Sequence, residues 1–157
     1  MRGGLGVALL AACLLGGCAG GGGDEDGGPP KPSCTPTVDP ANAPQYASNI
    51  QPIYGRSCAV AGCHASPAPA QGLDLSPGLS YAATVGRRST EAFKVLIVAP
   101  GDPDGSYLMR KIRGDAGIAG VLMPNGCPGS PAQGAQCLTP DEIEAIETWI
   151  LACAPNN

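Results

Sequence analysis

A chain of 157 residues, 43% hydrophobic but only 4% aromatic, has material for one thin-cored domain and little more. Its 13 acidic and 9 basic residues give a net charge of −4, which argues against nucleic acid or an anionic membrane surface as a direct partner. Outside help, from disulfides or a buried cofactor, is expected to offset the small supply of large side chains.

The first 17 residues read as a secretion signal. Arg2 is the positive n-region, and Leu5 to Leu15 is an apolar stretch too short to span a bilayer. Leu15-Gly16-Gly17-Cys18 resembles the lipobox of bacterial lipoproteins, in which the cysteine is lipidated and becomes the mature N-terminus. Leu10-Ala11-Ala12-Cys13 fits the same pattern, but cleavage there leaves a very short apolar region. The expectation is therefore an exported protein, lipid-anchored through Cys18 to a bacterial membrane on its periplasmic or cell-surface face. An ordinary signal peptide is the plainer alternative. Residues 18–41 follow as lipidated cysteine and tether. Between 19 and 33 they hold no apolar residue able to anchor a core, and their glycines and prolines favour flexible or extended chain. The head, residues 42–157, is one domain of about 120 residues.

Asn42 to Ser57 carries Tyr46, Ile50, Ile53 and Tyr54 at spacings that suit one face of a short helix, despite Pro52. It delivers the chain to Cys58-Ala59-Val60-Ala61-Gly62-Cys63-His64, which contains the only histidine. Two cysteines followed at once by histidine is the order of covalent c-type haem attachment: two thiols bond the porphyrin and the next residue ligates iron. The common spacing has two residues between the cysteines; here there are four. Ala65 to Pro77 reads as loop, with Leu73 and Leu75 turned inward. Ser80 to Val85 suits one or two helical turns capped by Ser80. Glu91 to Val98 reads as a buried apolar segment, and Pro100 to Pro103 as a turn. A helix capped by Asp104 or Ser106 runs to Arg113, with Leu108 and Ile112 on one face and Arg110, Lys111 and Arg113 elsewhere. Gly114 to Gly120 is loop. Thr139-Pro140-Asp141-Glu142 carries a capping box with proline at the first helical position. The helix it starts runs to about Ala152, with Ile143, Ile146, Ile150 and Cys153 inward and Trp149 at the edge.

The eight cysteines divide along the same lines. Cys13 leaves with the signal and Cys18 takes the lipid. If haem uses Cys58 and Cys63, only three pairings of the remaining four survive. Cys127 and Cys137 bracket a loop without helix or strand signal and are the natural local pair. Cys34 and Cys153 then tie the two ends of the head. The competing arrangement has no haem and three disulfides, with Cys58–Cys63 as a local bridge in an oxidising compartment. Zinc or copper on Cys58, Cys63 and His64 lacks a second Cys/His cluster to complete the set. A Cys–His nucleophile pair is disfavoured because adjacent residues do not easily adopt that geometry. Arg87 and Arg88 have the charge to meet haem propionates but read better as solvated surface charges, and Asp102, Asp104 and Ser106 as turn and cap residues rather than calcium ligands.

A low-spin c-type haem needs a ligand opposite His64, and methionine is the usual partner when no second histidine exists. Met109 falls in a helix, where core packing is the ordinary role. Met123, in Val121-Leu122-Met123-Pro124 between a glycine-rich loop and a proline turn, is the better candidate.

The order of these elements resembles a family. A helix, Cys…Cys-His, Gly72-Leu73-Asp74-Leu75, Pro100-Gly101-Asp102-Pro103 with Ser106-Tyr107-Leu108, Met123-Pro124, and a last helix ending in Trp149-Ile150 is similar to the small cytochrome c domains of planctomycete-type and related bacterial surface proteins. The resemblance spans about residues 46 to 154. It implies a mostly α, cytochrome c-like helical domain with long irregular loops and disulfides, its first and last helices crossing. It implies haem c, one per chain, on Cys58 and Cys63, with His64 and Met123 as axial ligands. The expected function is a membrane-anchored electron carrier, not an enzyme, serving a redox partner protein that the sequence does not name. The expected haem pocket is lined by Leu73, Leu75, Leu108, Ile112, Ile146 and Trp149. The alternative is a haem-free, disulfide-stapled surface lipoprotein with a binding or structural role.

Overall fold

The computed structural model describes residues 33–157. The signal segment, Cys18 and the tether as far as residue 32 lie outside the described residues. Among those described, the regular secondary structure is helical and there is no sheet, only isolated bridges such as Val85 with Val98 and Leu96 with Ser106. No helix among them is long and apolar enough to cross a membrane.

The first helical segment is two pieces. A π-helical turn, Tyr46–Ile50, runs directly into α1, Gln51–Ser57. Pro52 explains the change of winding. It offers no N–H and its ring crowds the carbonyl four residues back, so it is tolerated in the first turn of α1 but not inside one continuous α-helix. Then come α2 (Ser80–Thr84), α3 (Tyr107–Arg113) and α4 (Pro140–Leu151). Short 3-10 turns at Ala70–Gly72 and Ala132–Gly134 punctuate the long loops.

The capping box at α4 forms as the sequence implies. Glu142 N–H donates to Thr139 Oγ1 at 3.3 Å, and Thr139 N–H donates to Glu142 Oε2 at 2.9 Å. Such a cap stabilises a helix by about 1 kcal/mol. Glu142 also pairs with Arg56 near the end of α1, which ties the start of the last helix to the end of the first.

The core gathers Ile50, Tyr54, Met109, Ile146, Trp149 and Ile150, all fully buried. Each such side chain contributes roughly 1.5–3 kcal/mol by leaving water. Trp149 sits at its centre. Its ring centroid is 5.3 Å from Tyr46 and 6.5 Å from Tyr81, and Tyr46 meets Tyr81 edge-on at 5.1 Å. This cluster joins the π-helical turn to α4, and α3 packs on α4 beside it. Trp149 therefore belongs in the interior, not at the helix edge as the sequence reading has it. An indole with aromatic neighbours and an acceptor for its Nε1–H, here Pro155 O at 2.9 Å, is well accommodated there.

Three other local expectations change. Ser80 does not cap α2; it lies inside the helix, buried, and shares a hydrogen bond with the Tyr46 hydroxyl. Ser106 occupies the N-cap position of α3, but its hydroxyl serves the preceding turn, accepting from Ala99 N–H at 2.9 Å and donating to Asp102 O at 2.7 Å. Asp104 pairs with Arg113 instead of capping. The segment from Glu91 is not uniformly buried, since Phe93 is 73% exposed while Val98 is fully enclosed.

Both disulfides expected from the cysteine spacing are present: Cys34–Cys153 and Cys127–Cys137. Residues 34–37 thus pack on the head, with Thr37 N–H donating to Leu151 O at 3.1 Å. Gly101 is required beside the first bridge. Its φ of +80° is left-handed, and a Cβ there would come within 2.6 Å of Cys34 Sγ. The chain-entropy account gives the Cys34–Cys153 bridge, which closes a long loop, about 5 kcal/mol and the ten-residue bridge about 3 kcal/mol. We predict that Cys34→Ser/Cys153→Ser lowers the urea midpoint more than Cys127→Ser/Cys137→Ser does. The reverse order would contradict a loop-closure origin for the stabilisation.

Candidate haem-attachment site

The cysteine loop leaves the end of α1 without a break in hydrogen bonding. Cys58 N–H and Ala59 N–H both donate to Tyr54 O, at 2.9 and 2.7 Å. The four residues between the cysteines are taken up in a turn whose tip, Ala61-Gly62, is exposed. The ends of the loop are drawn together: His64 N–H donates to Cys58 O at 3.1 Å, and Cys63 N–H to Val60 O at 3.0 Å. Downstream, Ala70 N–H donates to Cys63 O at 2.7 Å and Leu75 N–H to His64 O at 2.8 Å, so the segment after the motif folds back over it. The unusual spacing thus forms a compact turn, with Cys58 buried and Cys63 and His64 half-buried.

Cys58 and His64 line a cavity of about 430 Å³, in the size range of small-molecule and cofactor sites. Met123 lines it too, although it comes from the far end of the loop after α3. Leu73, Leu75, Leu108 and Ile112 supply apolar wall, as expected from the sequence. Ile146 and Trp149 do not line it: both are consumed by the core, where the aromatic cluster and the facing helices enclose them. Met109 is fully buried in that same core and is a packing residue. Cys63, half-buried, is not among the lining residues.

Cys58 and Cys63 are both free thiols, whereas Cys34, Cys127, Cys137 and Cys153 are bridged. The third disulfide of the haem-free alternative is therefore not formed here. Burial pushes the Cys58 thiol up to about 12; the neighbouring Cys63 adds to the rise and Arg56 opposes it. His64 Nδ1 is buried and has no hydrogen-bond partner. A neutral imidazole protonated at Nδ1 keeps its Nε2 lone pair for a ligand, but most ligating histidines also donate the other N–H to an acceptor. No group of three or more His, Cys, Asp or Glu side chains is arranged to hold a metal ion among the described residues.

The cavity also has a polar wall, of which the sequence reading considers only Arg87 and Arg88 and sets them aside. Arg87 and Arg88 line it and make no ion pair among the described residues. Glu91, Tyr107 and Lys111 line it as well. The sequence reading sets Lys111 apart from the Leu108 and Ile112 face of α3, yet it is only 7% exposed. The available signal was spacing: Tyr107 and Lys111 are four apart, as are Leu108 and Ile112, so both pairs share a broad inward face. No family model, no curated protein and no solved structure matches this chain.

Of the four residues expected to hold a haem, Cys58, His64 and Met123 line this cavity and Cys63 does not. A buried thiol, an imidazole whose Nδ1 has no hydrogen-bond partner, a thioether and an apolar wall meet on one cavity. The thiol environments differ, and this is open to measurement. With a pKa of about 12, Cys58 is thiolate in roughly one molecule in ten thousand at pH 8. In the folded, haem-free chain, iodoacetamide should modify Cys63 much faster than Cys58, and denaturant should erase the difference. Equal rates in the folded protein would contradict the buried position of Cys58.

Proposed function

We propose that the head is a small c-type cytochrome that carries electrons and does no chemistry on a substrate. The observation that carries this reading is the convergence of Cys58, His64 and Met123 on one cavity, from segments well separated in the chain. Cys58 and Cys63 would hold the porphyrin covalently, and His64 and Met123 would ligate its iron. Bound haem supplies a one-electron couple at iron.

The remaining roles belong to the chain. Leu73, Leu75, Leu108 and Ile112, which line the cavity, would shield a bound haem from water. Arg87 and Arg88, exposed at the cavity and free of acidic partners among the described residues, offer positive charge to the acidic edge of the porphyrin. A thioether ligand favours the reduced iron and raises the potential. The Cys34–Cys153 and Cys127–Cys137 bridges suit an oxidising compartment, in keeping with export and a lipid anchor at Cys18. The proposed setting is the outer face of a bacterial membrane or its periplasmic side, with a soluble or membrane-bound protein as redox partner.

The test is expression for export in a host that matures c-type haem. The reduced-minus-oxidised spectrum should be that of a c-type cytochrome. Met123→Ala should lower the midpoint potential while the haem stays attached. A variant with the wild-type potential would remove Met123 from the ligand set, and a colourless wild-type protein would remove the electron-transfer reading altogether.

A further inference from the structure

We propose that Glu91, Tyr107 and Lys111 form a polar strap that positions Met123 at the cavity wall; this rests on the haem-binding reading. Lys111 acts at two points. Its Nζ donates to Ala119 O at 2.7 Å, and its own carbonyl accepts from Met123 N–H at 2.9 Å. Tyr107, one helical turn earlier on α3, holds the other side of the same loop residue: Ala119 N–H donates to the Tyr107 hydroxyl at 3.0 Å. That hydroxyl in turn donates to Glu91 Oε2 at 3.1 Å, and Glu91 Oε2 pairs with Lys111 Nζ at 3.4 Å. The ammonium also lies 5.9 Å from the centre of the Tyr107 ring.

The consequence is geometric. The loop leaves α3 at Gly114, whose left-handed φ of +74° turns the chain and whose missing side chain admits Leu122 to within 2.7 Å of the Cβ position. It is then gripped at both main-chain polar groups of Ala119 and again at the Met123 amide. Only the short run from Ala119 to Met123 lies between the two grips, which leaves the methionine little room to swing. A buried ammonium is costly unless paired, and here each of its contacts belongs to the strap. Glu91, Tyr107, Lys111 and Met123 all line the one cavity, so the strap and the thioether share its wall. These three are positioning residues; of the strap and the methionine it holds, only the thioether would touch the iron.

The test uses the full chain as exported, with Lys111→Met, which keeps length and removes charge, and Tyr107→Phe, which keeps the ring and removes the hydroxyl. The first readout is amide hydrogen exchange at Ala119 and Met123. Loss of one hydrogen bond or ion pair in the strap should speed both by roughly tenfold, with the α4 amides unchanged. The second is the sulfur-to-iron charge-transfer band and the midpoint potential of the haem-loaded protein. Both should fall in the loosened variants and return in Lys111→Arg. Unchanged exchange at Met123 in both variants would overturn the strap. So would faster exchange with an unaltered charge-transfer band and potential. If the wild-type chain carries no haem, the functional reading fails while the exchange result still decides whether the loop is strapped.

Discussion

The burial of Trp149 is the constraint on which the rest of this head depends. In a chain with one tryptophan and one phenylalanine, and with that phenylalanine exposed, the indole and the tyrosines around it are the main bulky filling. Tyr46 approaches the indole from the first helical segment, Tyr81 from α2, and Pro155 accepts its N–H from the chain end. The residues after α4 are gripped as well. Ala47 N–H donates to Asn157 O at 2.8 Å, and the Tyr81 hydroxyl donates to Ala154 O at 2.8 Å. Ala154, fully buried, takes a left-handed φ of 48°, a conformation an alanine adopts only where its surroundings determine it.

That junction places the candidate functional segments. α1 ends in the Cys58–His64 turn, and α3, packed on α4, starts the loop that ends in Met123. Fixing the first helical segment and α3 against the same last helix brings the two ends of the candidate ligand set to one cavity. The side chains that do this are core residues and not site residues. This is why Ile146 and Trp149 are absent from the cavity wall although a helix-face reading assigns them to it. In a core this small they cannot both fill the helix interface and line an open space.

Much of this was legible in the sequence, and the misses have physical causes. The α4 capping box is local chemistry within four residues, so it reads directly. The two disulfides follow from loop length and position. The candidate ligands are marked by scarcity: one histidine, directly after a cysteine, and one methionine in a loop. The polar wall was not legible in the same way. A lysine on a short helix looks solvated until its partners are known, and Glu91 and Ala119 reach Lys111 only through tertiary folding. The π-helical turn is a similar case. Pro52 signals a disturbance, but whether a helix breaks, kinks or widens depends on what packs against it. Ser80 and Ser106 look like caps by residue type; their hydroxyls are taken by nearby tertiary and turn partners instead.

The central proposal is that Cys58 and Cys63 hold a haem covalently beside the cavity that Cys58, His64 and Met123 line. The most direct measurement is the intact mass of the exported, fully denatured protein, compared with its Cys58→Ser/Cys63→Ser variant. The account predicts the added mass of one haem in the wild-type chain, surviving denaturation and lost in the double variant, with both disulfides retained in each. A wild-type mass equal to that of the polypeptide with three disulfides would contradict it.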